Sequence, residues 1–392
     1  MKTGITLRGA EMMLISLGLA SFTLGYTLFY LVVAAYCFLK IRTRKYPLDL
    51  TLLFMLVLLS GTIFTLINLL TFKYDSIYTT SILYRTRFFW IRLFFAIGIS
   101  VYVFALSYKE ILRFVYYLSI PNTIAGLIQL FVLQTDRVSL LTPEASMASM
   151  YYIFTFPLLL EYYRLHRKSK FWIALFVLVG FFIFSKAQII VLPLMLLYFV
   201  FKSKNSRLKK VVGAIIFIGI IASPLILQID QFQKINHFLT VLNEKGISGL
   251  TEKNQIWTSF TLRFSSFLTA VEVFLHNPFG SGFGSFHPEY IASMTSNSVQ
   301  AQIKGTEISM VLDNDLYATP KSIFFEYLVS CGLFFLGPIL LIVRKCHTTN
   351  ASVLVKASIY GTVLISLMIE SAPFLVFLAI GTALMSKAND PS

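Results

Sequence analysis

Residues 49–72 read DLTLLFMLVLLSGTIFTLINLLTF, with Asp49 the single charge in the run. A helix that spans a bilayer needs about 20 predominantly apolar residues, so this stretch is a membrane helix by length and composition. Its apolar residues are continuous rather than alternating with polar ones, which excludes the strand of an outer-membrane barrel. Comparable runs recur along the chain, at 11–39, 88–108, 111–133, 147–162, 171–185, 187–201, 211–228, 322–343, 354–371 and 373–386. The pair 171–185 and 187–201 is short enough for a tight or partly re-entrant hairpin. The 11–39 run holds one tilted helix comfortably and two with difficulty.

The composition agrees. Of 392 residues, 57% are hydrophobic, 16% aromatic and 13% charged, against about 25% charged in a soluble globular domain. Mean hydropathy is +0.76. A soluble enzyme, a disordered chain and a disulfide scaffold are all excluded. Cys37, Cys331 and Cys346 lie in or beside apolar runs with no CxxC and no partner spacing, so neither a disulfide framework nor a metal site is indicated. The stretch after the basic start Met1 to Arg8 is too long for a signal-peptide core and is read as retained.

The net charge of +15 does not indicate nucleic acid, because the cations gather in loops. Basic clusters occur at Lys40–Lys45, at Lys109 and Arg113, at Arg164–Lys170, at Lys202–Lys210 and at Arg344–Lys345. Counting spans between them puts every cluster on one side, which the positive-inside rule makes the cytoplasm. The C-terminal tail is then cytoplasmic. Eleven spans put the N-terminus outside and twelve put it inside, the side that Lys2 and Arg8 favour. The expected fold is all-α: a polytopic transmembrane protein of eleven or twelve spans in the cytoplasmic membrane. Its expected parts are N-terminal spans 1–228, one large folded extracytoplasmic loop 229–320 and C-terminal spans 321–392.

That loop carries acidic residues (Asp230, Glu244, Glu252, Glu272, Glu289, Glu307, Asp313, Asp315) among lysines, aromatics and aliphatics. Loops this long are functional or disordered, and this composition reads as folded. No repeat of fixed period is visible, nor the inverted repeat of a transporter. Within the loop, Ile256, Trp257, Phe260, Phe264, Phe267, Leu268, Val271, Phe274 and Leu275 follow helical spacing. They predict an amphipathic helix over 255–275 suited to a membrane interface. Arg263 sits at the edge of its apolar face. Then comes His276-Asn277-Pro278-Phe279-Gly280-Ser281-Gly282-Phe283-Gly284-Ser285-Phe286. Gly280, Gly282 and Gly284 permit a tight turn or close approach to a ligand, and a flexible loop after a helix accounts for them as well.

An arginine-bearing helix followed by this glycine stretch resembles the Wzy/WaaL superfamily of O-antigen polymerases and ligases. Three further stretches fit the family's order. Pro143-Glu144-Ala145-Ser146 is similar to its "EPS" entry into a helix. Ser185-Lys186 is similar to its "SR" turn between two short helices. The run from Thr319-Pro320-Lys321-Ser322 through Glu326 to Gly332 is similar to its "PHN…L…G" segment. The resemblance covers about residues 130–345. The ligase branch carries a histidine where this chain has Lys321, and an arginine is common where it has Lys186; the first departure leans towards a polymerase.

The resemblance implies glycosyl transfer on the outer face of the membrane. A growing glycan leaves undecaprenyl pyrophosphate for a hydroxyl of the next lipid-linked oligosaccharide unit. Partners implied are that lipid-linked substrate, the bilayer, a chain-length regulator and a flippase. No cofactor or metal is required. Cations aimed at the leaving diphosphate stabilise its developing charge, and arginine's planar fork suits phosphate oxygens. Arg263 is the first candidate ligand, against an anchoring role at head groups. Lys186 and Lys321 are further candidates, each with a plain interfacial charge as the alternative reading.

Glu326, read as about 1.5 turns inside its helix, is a candidate base or a structural partner of Lys321. Glu144 is a candidate substrate contact or an ordinary N-terminal carboxylate. Arg92 breaks the positive-inside pattern together with Arg85 and Arg87. It is a candidate for anionic glycan or phosphate, whereas snorkelling is the preferred reading of the other two. His276 reads as a helix-end residue. His276 and His287 make no metal site without a third ligand. Asp313-Asn314-Asp315 reads as a solvated turn rather than a glycosyltransferase metal motif.

Overall fold

A chain this apolar must satisfy every backbone N–H and C=O internally wherever lipid surrounds it, and helices do so one segment at a time. The computed structural model describes residues 7–20, 27–39, 48–135, 138–142, 144–166, 170–183, 185–202, 213, 240–241, 243–245, 258–296, 319–370 and 373–388. Every regular element among these residues is a helix. In chain order they are α1 (Leu7–Ala20), α2 (Thr27–Leu39), α3 (Leu48–Thr71), α4 (Ser76–Phe104), α5 (Tyr108–Phe131), α6 (Ala145–His166), α7 (Lys170–Phe181) and α8 (Lys186–Lys202). There follow α9 (Thr258–His276), α10 (His287–Ser296), α11 (Ile323–Cys331), α12 (Leu333–Thr348), α13 (Val353–Ser366) and α14 (Phe374–Lys387).

Three of the described helices are long and apolar enough to cross a bilayer: α3, α4 and α5. The shorter apolar helices α7, α8, α13 and α14 complete the character of a polytopic helical membrane protein. The 11–39 run contains two helices, α1 and α2, with residues 21–26 outside the described residues. The 171–201 run is the expected short pair, α7 and α8. The apolar run that begins at 88 belongs to a helix that starts at Ser76, so Arg85, Arg87 and Arg92 all lie within α4. Apart from Gly213, the expected span 211–228 lies outside the described residues, as does Asp313-Asn314-Asp315.

Chain contacts separate two units. The first comprises Met1–Phe54, Trp90–Lys204 and Pro338–Ser392; the second comprises Met55–Phe89 and Asn205–Gly337. In the first unit α13 packs on α6, α8 and α14, and α5 packs on α1 and α6. Residues Phe374–Met385 of α14 are buried throughout, as expected of a helix apolar on all faces. Phe377 stacks on Phe154 with ring centroids 4.3 Å apart and meets Tyr151 edge-on at 5.0 Å.

Polar groups in this unit are spent on holding helices together. Tyr151 donates to the carbonyl of Leu19 at 2.6 Å, and Ser358 to that of Phe154 at 2.6 Å. The fully buried Glu161 carboxylate accepts Tyr108 OH at 2.9 Å and both arms of Arg164, at 2.8 and 2.7 Å. Lys345 near the end of α12 pairs with Asp49 at the start of α3, at 3.1 Å.

Candidate functional site

Most of the candidate residues fall in the second unit. There α9 packs on both α10 and α11. The contacts give directions. Phe267 of α9 meets Phe325 of α11 edge-on at 5.1 Å. Just past the C-termini of both helices, Leu333 N donates to Pro278 O at 2.8 Å. So α9 and α11 run side by side in the same direction. Arg263 lies one turn before Phe267, and Lys321 lies four residues before Phe325. Both cations therefore belong to the N-terminal end of the pair. Arg263 and Lys321 are half-buried, and each has partners within the protein.

Ser322 caps α11, its hydroxyl accepting from Phe325 N at 3.2 Å. Lys321 therefore lies just before the N-cap, outside the helix. Glu326 sits in the first turn of α11, closer to the helix start than the sequence reading places it. A carboxylate there faces the favourable end of the helix dipole.

The glycine stretch lies at the other end of the pair. Residues 280–287 are all buried. Four consecutive amides donate to protein carbonyls: Gly280 to Asn277 at 2.9 Å, Ser281 to Val329 at 2.9 Å, Gly282 to Ser330 at 2.8 Å and Phe283 to Gly61 at 3.0 Å. The middle two satisfy the C-terminal carbonyls of α11, which no helical amide can reach. Gly280, Gly282 and Gly284 have φ of 95°, 88° and 77°, and the first two meet backbone where a side chain would stand. A Cβ on Gly280 would lie 2.4 Å from Ser330 O, and one on Gly282 2.4 Å from Thr65 N. The described geometry thus gives these glycines a packing role.

Between them, the Phe283 ring stacks on Phe89 at 4.5 Å and fills the notch left by Gly61, where a Cβ would fall 2.4 Å from the ring. The Phe283 carbonyl accepts from Thr65 at 3.1 Å and Thr86 at 2.6 Å. These donors, and Asn68, which donates to Ser281 O at 2.7 Å, were not singled out from the sequence. They lie some two hundred residues away in the chain, and only the Ser/Thr/Asn content of an otherwise apolar helix hints at them.

A second feature the sequence reading passed over is Glu289, in the first turn of α10. Its carboxylate accepts from Asn277 Nδ2 and, at 3.0 Å, from Ser281 Oγ. Burial raises its carboxyl above the usual range, and the Ser281 hydroxyl, the His276 imidazole and the Asn277 amide partly restrain the rise. His276 is the last residue of α9 and is exposed, as its helix-end reading expects. Further along, Ser293 of α10 donates to Glu272 of α9 at 2.8 Å and Tyr290 OH to Ser266 O at 3.2 Å, so α10 returns antiparallel to α9. His287 is buried with its ring 6.2 Å from that of Tyr78. Among the described residues, no group of three His, Cys, Asp or Glu side chains could hold a metal ion.

The remaining candidates lie in the first unit. Lys186 is the first residue of α8, whose start is capped by buried Ser185 accepting from Gln188 N at 3.2 Å. Glu144 is exposed just before α6; its carbonyl accepts from Ala148 N at 3.1 Å and its carboxylate from Ser146 Oγ at 2.9 Å. Arg92 is half-buried midway along α4 and has partners in the protein.

The helices define the class: a polytopic α-helical membrane protein. Residues 171–340 match the family model Wzy_C, described as O-antigen ligase. The matched stretch runs from α7 into α12 and is what this part of the chain is similar to. No curated protein and no solved structure matches the chain.

Proposed function

We propose that the protein is a polysaccharide polymerase that joins oligosaccharide units carried on undecaprenyl pyrophosphate, at the outer face of the cytoplasmic membrane. The observation that carries this reading is the parallel α9/α11 pair, which gathers Arg263 and Lys321 at one end. Two cations at the same end of adjoining helices, one on α9 and one just before α11, suit a diphosphate, whose charge grows as it departs. A hydroxyl oxygen of the acceptor sugar attacks C1 of the donor glycan. The C1–O bond to the diphosphate breaks, and lipid diphosphate leaves with the electron pair. The hydroxyl proton passes to a base, for which Glu326, in the first turn of α11, is the candidate.

Ligation of finished glycan to a different acceptor is the second reading. The lysine at position 321, where the ligase branch carries histidine, favours polymerisation. The test is deletion of the gene in its host, with surface glycan resolved on a gel and complementation by Arg263→Ala. A ladder collapsed to one repeat unit on its normal carrier, not restored by the variant, is the outcome expected of a polymerase. Full-length polymer left unattached on its lipid would identify a ligase instead. Unpolymerised units held on the cytoplasmic face would mean a flippase and end the proposal.

A further inference from the structure

At the C-terminal end of α9, three separate segments bring together groups the reaction above does not use. The last residue of α9 and the turn after it supply His276, Asn277 and Ser281; α10 supplies Glu289; the α3–α4 connection supplies Phe72 and Tyr74. Asn277 and Ser281 orient the Glu289 carboxylate from one side. Those two bonds use two of the roughly four lone-pair positions of a carboxylate. Asn68, one turn before Phe72, donates to Ser281 O at 2.7 Å and accepts from Phe72 N at 2.9 Å, which sets the end of α3 against this turn. Tyr74 lies within electrostatic reach of Glu289, burial raising its phenol and Glu289 raising it further. The Tyr74 ring sits 5.9 Å from that of Phe72 in a tilted pair. Phe72 is 56% exposed and Tyr74 half-buried, so the pair reaches the surface beside the carboxylate. The His276 imidazole is exposed and lies within electrostatic reach of the Glu289 carboxylate.

We propose that Phe72, Tyr74, His276, Asn277 and Glu289 form a saccharide subsite that holds a sugar ring of the glycan away from the point of transfer. The chemistry fits a pyranose ring. Its axial C–H bonds form an apolar face that an aromatic pair can cover, while its edge carries hydroxyls that donate to a carboxylate and accept from a phenol or imidazole. A few convergent polar groups beside an aromatic wall are the usual make-up of a small-molecule site. A carboxylate displaced from its ordinary pKa beside a specific charge partner supports a functional role. The position is equally telling. Fourteen residues of α9 separate Asn277 from Arg263, about 20 Å along the helix. That is too far for the same bond, yet within the span of an oligosaccharide. The subsite rests on the glycosyl-transfer reading of the α9/α11 end, which it extends.

The test uses the full-length protein in lipid nanodiscs. The probe is the oligosaccharide repeat unit of the host's own surface glycan, freed of lipid diphosphate by mild acid. Binding is read by calorimetry, and elongation of lipid-linked units is assayed in parallel. Phe72→Ala, Tyr74→Ala and Glu289→Gln are each expected to weaken binding about tenfold, the scale of one lost aromatic contact. Arg263→Ala is expected to bind the free oligosaccharide like the wild type while failing to elongate. Phe72 and Tyr74 stand outside the Asn277–Ser281–Glu289 hydrogen bonds, so their variants separate sugar contact from damage to the turn. Wild-type binding in all three variants would overturn the subsite and mark the aromatics as an interfacial belt. Elongation by wild-type protein that binds no oligosaccharide would also overturn it, with the proposed function standing. If wild-type protein elongates nothing, the function falls, and the variant comparison decides the subsite on its own.

Discussion

Glu289 shows how a single carboxylate can be both held and strained. Asn277 and Ser281 donate to it, yet burial outweighs them and its carboxyl titrates above the ordinary value of 4.5. A group whose folded pKa lies above its unfolded one contributes stability fully below the unfolded value. That contribution is lost as pH rises through the folded value. At neutral pH the charge on Glu289 is thus a cost to the fold. Glu289→Gln keeps an oxygen for Asn277 and offers an amide to Ser281. The melting temperature of the purified variant should hold or rise at neutral pH, and its advantage should shrink as pH falls towards the unfolded carboxylate value. A clear drop at neutral pH would show that the charge itself stabilises the turn. Gly282 is the opposite case, a residue with no tolerance at all. Its φ of 88° and the Thr65 amide 2.4 Å from any added Cβ set strain and overpacking in the same direction. Gly282→Ala should lose on the order of 3 kcal/mol, measurable as a lowered melting temperature or loss of folded protein on expression.

At the scale of elements, the α9/α11 pair makes a sharper statement than either helix. The amphipathic pattern of 255–275 anticipates α9, observed as Thr258–His276, because helical periodicity is local. The apolar run at 322–343 anticipates α11 and α12 but not the break between them. There Gly332 adopts φ of 56° and its amide and that of Leu333 donate to Leu328 and Pro278. The parallel course of α9 and α11, and the role of the glycine turn as the cap of α11, depend on partners far apart in the chain. Thr65 and Phe283 are separated by 218 positions, and no local pattern in one chain encodes that meeting. Hence the glycines were visible while their packing was not, and Glu289 looked like any loop carboxylate. If Arg263 and Lys321 share a diphosphate, removing either should slow elongation about 100-fold or more, the usual cost of one group that stabilises developing charge. Lys321→Arg should retain much of the activity, because it keeps the charge. Equal activity in Lys321→Ala, measured with purified protein and lipid-linked units, would remove Lys321 from the site and leave Arg263 to be tested alone.

For the whole molecule, the deciding quantity is the sign of charge at each helix end. Asp49 at the start of α3 pairs with Lys345 near the end of α12, which joins two helix ends that the basic clusters assign to one side. From there α3 runs to Thr71, and α4 leads back to Phe104, before Lys109 and Arg113. On the positive-inside reading the short connection 72–75 faces the opposite side. Lys73 in that connection and Lys170 at the start of α7 are both exposed. The native thiols Cys37, Cys331 and Cys346 are buried, so they offer little background to a reagent from water. Single cysteines at the two lysine positions therefore report sidedness directly. In intact cells, or in spheroplasts if an outer envelope blocks access, Lys73→Cys should react with a membrane-impermeant maleimide. Lys170→Cys should react only after the membrane is opened. The reverse pattern would invert the topology and move Arg263, Lys321 and the Glu289 cluster to the cytoplasm. A lipid-linked glycan presented on the outer face could not reach them there, so this one labelling result bears on the fold, the transfer site and the saccharide subsite together.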